Sequence, residues 1–253
     1  MTFLNINFPF SNIGRTALFS RAILRLTQNR VIRGPFKDLE YHKSIDSYGE
    51  TLTRLLGIYE KELHEIISQE VVPAGFEEIF VIGGNDGYYP VGFARTTSAK
   101  IITYEMNPVF RNVLEKNARG NGVMDRISIR GECNPSNLKD SLSPEKKSFV
   151  LCDIEGYEMV LLDPAKVPGL EKSWLLVEDH NFAHNGITEA LMTRFGHTHH
   201  IRGIVPQLRS KRDFPKSLKC LMWRLFPQHF IDAVLSDCRH PGTVWLWMVP
   251  GHS

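Results

Sequence analysis

An apolar run, Ile79 to Ile82, breaks abruptly into Gly83, Gly84, Asn85, Asp86 and Gly87, and a helix-like segment opens near Tyr88, Tyr89 and Pro90. A strand, a glycine turn and a helix N-terminus in direct succession leave few architectures open. Glycine permits positive φ and lets a ligand approach bare backbone. The helix start adds unpaired N–H groups and a partial positive charge. The segment therefore reads as the binding turn for a nucleotide-like ligand.

From Pro73 and Gly75 onward, strand-like and helix-like segments alternate. Residues 78–82, 100–105, 126–130, 148–153 and 173–178 are short and rich in Val, Ile or Leu, as parallel strands covered on both faces are. A helix over 108–119 starts with Asn107 as cap and Pro108 in its first turn. Another is predicted over 187–195, then strands at 199–204 and 243–248. The alternation predicts a doubly wound α/β sheet.

Ahead of the sheet, residues 14–29 have the pattern of a basic amphipathic helix, with Leu18, Ile23, Leu24 and Leu26 among Arg15, Arg21 and Arg25. Gly34 and Pro35 read as a linker. Apolar residues from Leu52 to Ile67 recur at helical spacing and predict one helix over 50–69. The chain thus divides into an N-terminal helical extension, 1–72, and a main domain, 73–253. Within the latter, an insert at 205–240 carries Arg209, Lys211, Arg212, Lys216, Lys219 and Arg224 beside Phe214, Trp223, Phe226 and Phe230. It reads as a lid, a substrate wall or a solvated appendage.

Bulk properties exclude several classes. Thirty Lys plus Arg against 28 Asp plus Glu leave a net charge of +2, no general case for a nucleic-acid partner. No apolar run approaches the roughly 18 residues of a membrane span, and the N-terminus lacks a secretory pattern. Four cysteines, Cys133, Cys152, Cys220 and Cys238, show no CxxC spacing, which fits a reducing cytoplasmic setting.

The dinucleotide fingerprint G-x-G-x-x-G fails here: counting from Gly83, its third position is Asn85 and its sixth is Tyr88. A phosphate-binding GxxxxGK[ST] loop is absent as well. Yet the second strand ends in Glu105, an acceptor suited to the two hydroxyls of a ribose. A ligand with a ribose and no phosphates meets both conditions, and S-adenosylmethionine is such a ligand.

The stretches LLGIYEKELH (55–64), VIGGNDGYYPVGFA (81–94), ITYEMNP (102–108), RGECNP (130–135), LCDIEGYEMVLLDP (151–164), LLVEDHNF (175–182) and PGTVWLWMVP (241–250) together resemble the class I S-adenosylmethionine-dependent methyltransferases, and within them the FkbM-type family. DIEGYE followed by EDH is the most specific part, and the resemblance covers roughly residues 34–250. It implies a Rossmann-like, seven-stranded, mostly parallel sheet whose last strand is antiparallel, with 199–204 and 243–248 as the closing pair. It also implies methyl transfer to a small hydroxylated acceptor, such as a sugar or natural-product intermediate. A nucleic-acid methyltransferase and a binding module without turnover are the alternatives. One position departs from the family: Val81 stands where an acid usually helps hold the methionine ammonium, with Asp86 or Asp153 as substitutes.

The resemblance assigns Gly83, Gly84, Asn85 and Gly87 to the cofactor turn, Glu105 to the ribose, and Met106 and Glu132 to the adenine surround. Asp153, Glu155 and His180 become the catalytic candidates, Asp153 also as a cofactor contact. A hydroxyl acceptor needs a base, and His180 or Asp153 can serve. Tyr59 and Glu60 lie in a helix that either closes over the cofactor or simply packs. Asp153, Glu178, His180 and His184 could suit a divalent ion, but HxxxH pairs its rings only on a helix and NFAHNG reads as loop, so no metal site is expected. His197, His199 and His200 are expected at the surface.

Overall fold

The computed structural model describes residues 13–42, 48–181, 184–207, 209, 211–216 and 243–251. Seven strands form one sheet in the order β3-β2-β1-β4-β5-β7-β6. They are β1 (Glu78–Ile82), β2 (Lys100–Tyr104), β3 (Ile127–Arg130), β4 (Ser148–Cys152), β5 (Trp174–Asp179), β6 (His199–Ile204) and β7 (Val244–Pro250). β1 to β5 are parallel, and β7 runs antiparallel to both β5 and β6. The doubly wound seven-stranded sheet and its closing antiparallel pair are those expected.

Register is what builds a site. Ile82 pairs with Tyr104 on one side and with Cys152 on the other. The residues that follow, Gly83, Glu105 and Asp153, therefore leave the sheet at one level. β1 lies where the chain order reverses, the crevice in which open α/β sheets receive ligands. All of β1 and β4 is buried, and beyond their first residues, Glu78 and Ser148, both strands are apolar up to the cavity.

Of the helices, α1 (Ile13–Thr27) buries Phe19 and Ile23, and Gln28 and Asn29 end it at positive φ. The predicted linker at Gly34 is a packed hairpin instead: Val31 N–H donates to Leu39 O at 2.9 Å, and Phe36 is buried against Gly92. A Cβ on Gly92 would lie 2.5 Å from the Phe36 ring, so only glycine fits there.

The single helix expected over 50–69 is not formed. α2 (Tyr48–Leu55) stops, a turn follows, and a short irregular run resumes as Lys61–Leu63, α3 (His64–Ile66) and Ile67–Val71. Two residues cause the break. Gly57 has φ of 62° and lies so close to Arg33 that a Cβ would meet its carbonyl at 2.1 Å. Glu60 also takes positive φ, 45°. Apolar periodicity continues across the break because both pieces pack on one core, which also takes in Ile79 and Val81 of β1.

A buried ion pair fastens this N-terminal region to the glycine turn. Arg54 Nη1 lies 2.8 Å from Asp86 Oδ2, with the two side chains 4% and 0% exposed. The Tyr41 hydroxyl donates to the same carboxylate oxygen, and Arg54 lies 4.4 Å from the Tyr59 ring centroid. Burial holds the Asp86 carboxyl above its usual range even with Arg54 beside it. Asp86 is thus committed to the fold and cannot stand in for the acid missing at Val81.

The described part of the 205–240 insert packs on the same region: Arg209 pairs with Glu62 at 2.9 Å with both side chains buried, Lys61 pairs with Asp213, and Phe214 is buried against Phe19. Lys219, Cys220, Trp223, Arg224, Phe226, Phe230 and Cys238 lie outside the described residues. Cys133 and Cys152 are buried free thiols. His199, expected at the surface, is buried with Nε2 2.9 Å from Ser173 O; His197 and His200 are exposed. No helix among the described residues is long and apolar enough to cross a membrane.

Removing one partner of a buried ion pair strands the other charge. Arg54→Met is expected to lower stability by about 3 kcal/mol in denaturant unfolding; a change below about 1 kcal/mol would show that the pair is not a fastening.

Candidate cofactor site

A cavity of about 500 Å³ opens above the carboxyl ends of β1, β2 and β4. Seven of the sequence candidates line it: Gly83, Asn85, Glu105, Met106, Glu132, Asp153 and Glu155. Ile82, Tyr104, Phe110, Cys133, Ile154 and Tyr157 give it apolar walls. Its volume is that of a site for a small molecule or cofactor.

The turn after β1, which leads into α4 (Tyr88–Thr96), is held from below. Gly83 and Gly84 N–H both donate to Tyr104 O, at 2.9 Å. Gly83 has φ of 89°, and a Cβ there would lie 1.8 Å from the Asp153 carbonyl oxygen. The main chains leaving β1 and β4 therefore touch, which no side chain would allow. Gly84 and Gly87 do not line the cavity. They pack beneath it, against Thr103 and Leu114 respectively.

Glu105 braces the turn as well as facing the cavity. Its Oε2 accepts from Asn85 N–H at 2.8 Å and its Oε1 from Asn107 N–H at 2.7 Å. Each carboxylate oxygen can accept more than one bond, so both retain capacity toward a ligand. Asn107 then caps α5 (Pro108–Gly120), whose first turn brings Phe110 to the cavity. Met106 stands at the rim, 73% exposed. On the far side, Asn134 and Asn137 bond each other's backbone to start α6 (Pro135–Ser141), and Asn137 Nδ2 donates to Glu132 O at 3.0 Å.

The acidic end of the cavity lies where β4 and β5 finish. Asp153 is open to the cavity on one side, with 31% of its side chain exposed, and enclosed on the others. Burial pushes its carboxyl up to about 6, against a hydrogen bond from Glu178 and the nearby charge of His180. Glu178, the donor in that bond, is pushed well above the usual range by burial and then by Asp153 and Glu60. Glu60 joins this group from the turn between α2 and the irregular run. It is buried, accepts from the Tyr89 hydroxyl, and is pushed up by burial and the charge of Asp153.

His180 is buried behind Asp153 and Glu155 and does not line the cavity. Its Nε2 lies 3.8 Å from Asp153 Oδ1 and 3.5 Å from Glu155 Oε2. The donor atoms of Asp153, Glu155 and His180 fall within 4.8 Å of one another, so a protonated His180 ring meets both carboxylates. Glu155 reaches back from a strained backbone, φ 57°, followed by Gly156 at 107° beneath the His184 ring.

Phe110 and Tyr157 were not legible as site residues. Glu60 was weighed as part of a helix closing over the cofactor, but it joins the acid cluster from a left-handed turn. For Phe110 a signal exists, since it follows Pro108 in the first turn of a helix that starts at a strand end.

The comparisons with known proteins bear on the fold. The METTL16 methyltransferase domain superposes with a TM-score of 0.55 at 14% identity, over 92% of this chain and 81% of that one. The human methyltransferase 10 domain containing protein gives 0.53 at 13% identity, over 96% and 99%. This chain has a methyltransferase fold. The O-methyltransferase TomG from Streptomyces achromogenes, in complex with SAM, matches more loosely, with a TM-score of 0.48 at 12% identity over 93% and 90%. No family model and no curated protein matches the sequence.

Gly83→Ala is expected to lower stability by about 3 kcal/mol or more, because it adds a clash to an unfavourable φ. Gly75→Ala, at φ of 70° with nothing within 4 Å, is the control and costs only the φ strain, about 1–2 kcal/mol. Equal losses in thermal unfolding would mean that the contact between Gly83 and Asp153 is not tight.

Proposed function

We propose that the protein is an S-adenosylmethionine-dependent methyltransferase acting on a hydroxyl of a small molecule. The observation that carries this is the meeting of Gly83, Glu105 and Asp153 on one cavity, at the level where the sheet's chain order reverses. Glu105 takes the ribose hydroxyls, and the turn at Gly83 to Asn85 supports the ligand from beneath. Met106, Phe110 and Glu132 border the adenine. Asp153, with Glu60 and Glu178 behind it, supplies the anionic end for the methionine ammonium and the sulfonium, the charge that Val81 cannot offer. The segments DIEGYE and EDH, which resemble those of FkbM-type enzymes, contribute Asp153 and His180 to this end.

Methyl transfer from a sulfonium is a direct displacement, so catalysis rests on aligning nucleophile and methyl group. Its leaving group is a neutral thioether that needs no acid. The requirement left to the protein is removal of the acceptor's proton. A nucleic-acid acceptor is disfavoured by Arg209, a member of the basic 205–240 set, because it is buried against Glu62.

Calorimetric titration of the full chain with S-adenosylmethionine and S-adenosylhomocysteine tests the reading. Saturable binding is expected, with Glu105→Ala weakening it at least about tenfold, or about 1.4 kcal/mol. A folded protein that binds neither compound, or a Glu105→Ala variant that binds like wild type, refutes the assignment. Labelled-methyl transfer into hydroxylated metabolite fractions would then identify the acceptor.

A further inference from the structure

Glu158 has no part in the roles above, yet it is fully buried beside them. It opens α7 (Glu158–Leu161), and its Oε1 accepts from Ile154 N–H at 3.2 Å and lies 2.8 Å from His180 Nδ1. An ionised carboxylate only accepts, so Nδ1 carries the proton in this contact. The other ring nitrogen is thereby turned toward the strand ends, 3.5 Å from Glu155 Oε2 and 3.8 Å from both Asp153 Oδ1 and Glu178 Oε2.

The energetics of the pair favour charge separation. Burial works against the Glu158 charge, but the bond from His180, backbone N–H bonds from Glu158 and Gly156, and the charge of His180 together hold Glu158 below the usual carboxylate range. Burial likewise works against a charged His180. The bond to Glu158, then the charges of Asp153, Glu158 and Glu155, hold it above the ordinary histidine value. The groups facing Asp153 are Glu60 from the N-terminal turn, Glu155 on its own loop, Glu158 from α7, Glu178 from β5, and His180. In that company the hydrogen bond from Glu178 and then the charge of His180 favour an ionised Asp153.

We infer that Glu158 is a positioning residue: by accepting from His180 Nδ1–H it orients the ring and favours its imidazolium form against Asp153, which together with Glu178 keeps that carboxylate ionised at the cavity and able to take the proton of an acceptor hydroxyl. The inference rests on the methyltransferase reading for its chemistry. In the step, the hydroxyl oxygen forms a bond to the methyl carbon and the carbon–sulfur bond breaks. Its electron pair stays on sulfur as a thioether, and the hydroxyl proton passes to Asp153 and then to water. An acceptor that is already an anion would need no such base, so the arrangement selects for alcohols or phenols.

The test needs no acceptor. In isotope-labelled full-length protein, the His180 ring nitrogens and the Asp153 carboxyl carbon are followed by NMR across pH, with assignments from His180→Asn and Asp153→Asn. His180 is expected doubly protonated below its midpoint and in the Nδ1–H form above it, with Asp153 titrating near 6. In Glu158→Gln the His180 midpoint should fall by about one pH unit and that of Asp153 should rise comparably. His180→Asn, a second route should Glu158→Gln not fold, should raise the Asp153 midpoint too. A neutral His180 ring whose single proton is on Nε2 in wild type, or an Asp153 midpoint unmoved in both variants, overturns the inference. So does displacement of the His180 proton by Zn²⁺, which would make the ring a metal ligand. Calorimetry with S-adenosylmethionine is read separately: if wild type fails to bind while the Asp153 shifts appear, the cofactor reading falls and the positioning role stands.

Discussion

Everything at the site depends on two main chains touching where β1 and β4 leave the sheet. Because Gly83 has no side chain, its backbone lies against the Asp153 carbonyl, with space for a Cβ lacking by a wide margin. The shared register of Ile82 with Tyr104 and Cys152 then brings Glu105 to the same level from the opposite side. Three residues distant in sequence become one cavity rim through ordinary strand pairing. The Glu105 carboxylate ties the turn in place by accepting one backbone N–H from it and another from Asn107, the cap of α5.

The second organising feature is an excess of acid at one end of that rim. Glu60, Asp153, Glu155 and Glu178 gather there, and burial pushes Glu60, Asp153 and Glu178 toward their neutral forms. Like charges so close cannot all ionise, so Glu178 keeps its proton and donates it to Asp153. A cationic sulfonium and ammonium are the chemistry such an end suits. The buried Glu158 lies against His180, and its bond holds that ring above the ordinary histidine value beside Asp153. The N-terminal region is part of the same construction, since it supplies Glu60 and clamps the glycine turn through Arg54 and Asp86.

Much of the frame was legible beforehand because parallel strands covered on both faces are short continuous apolar runs. β1 was bounded to the residue, as was α8 (Ile187–Phe195), and the closing pair β6 and β7 fell where it was expected. Glu105 and Asp153 could be singled out because acids directly after apolar runs mark strand ends. The helix read over 50–69 was misjudged, since apolar spacing cannot reveal that Gly57 must pass against Arg33 or that Glu60 adopts a left-handed turn. His180 was legible as a chemical candidate, but not as a group set behind the cavity wall.

By itself the sequence determined the strands, the glycine turn and the residues that end the strands, because these follow from local apolar pattern and from glycine's freedom of φ. Only the tertiary structure decided which acids meet, which of them share a proton, and that Asp86 serves the fold while Asp153 faces the cavity. Those outcomes depend on burial and on distances between residues far apart in the chain, and neither quantity is written in any local stretch of it.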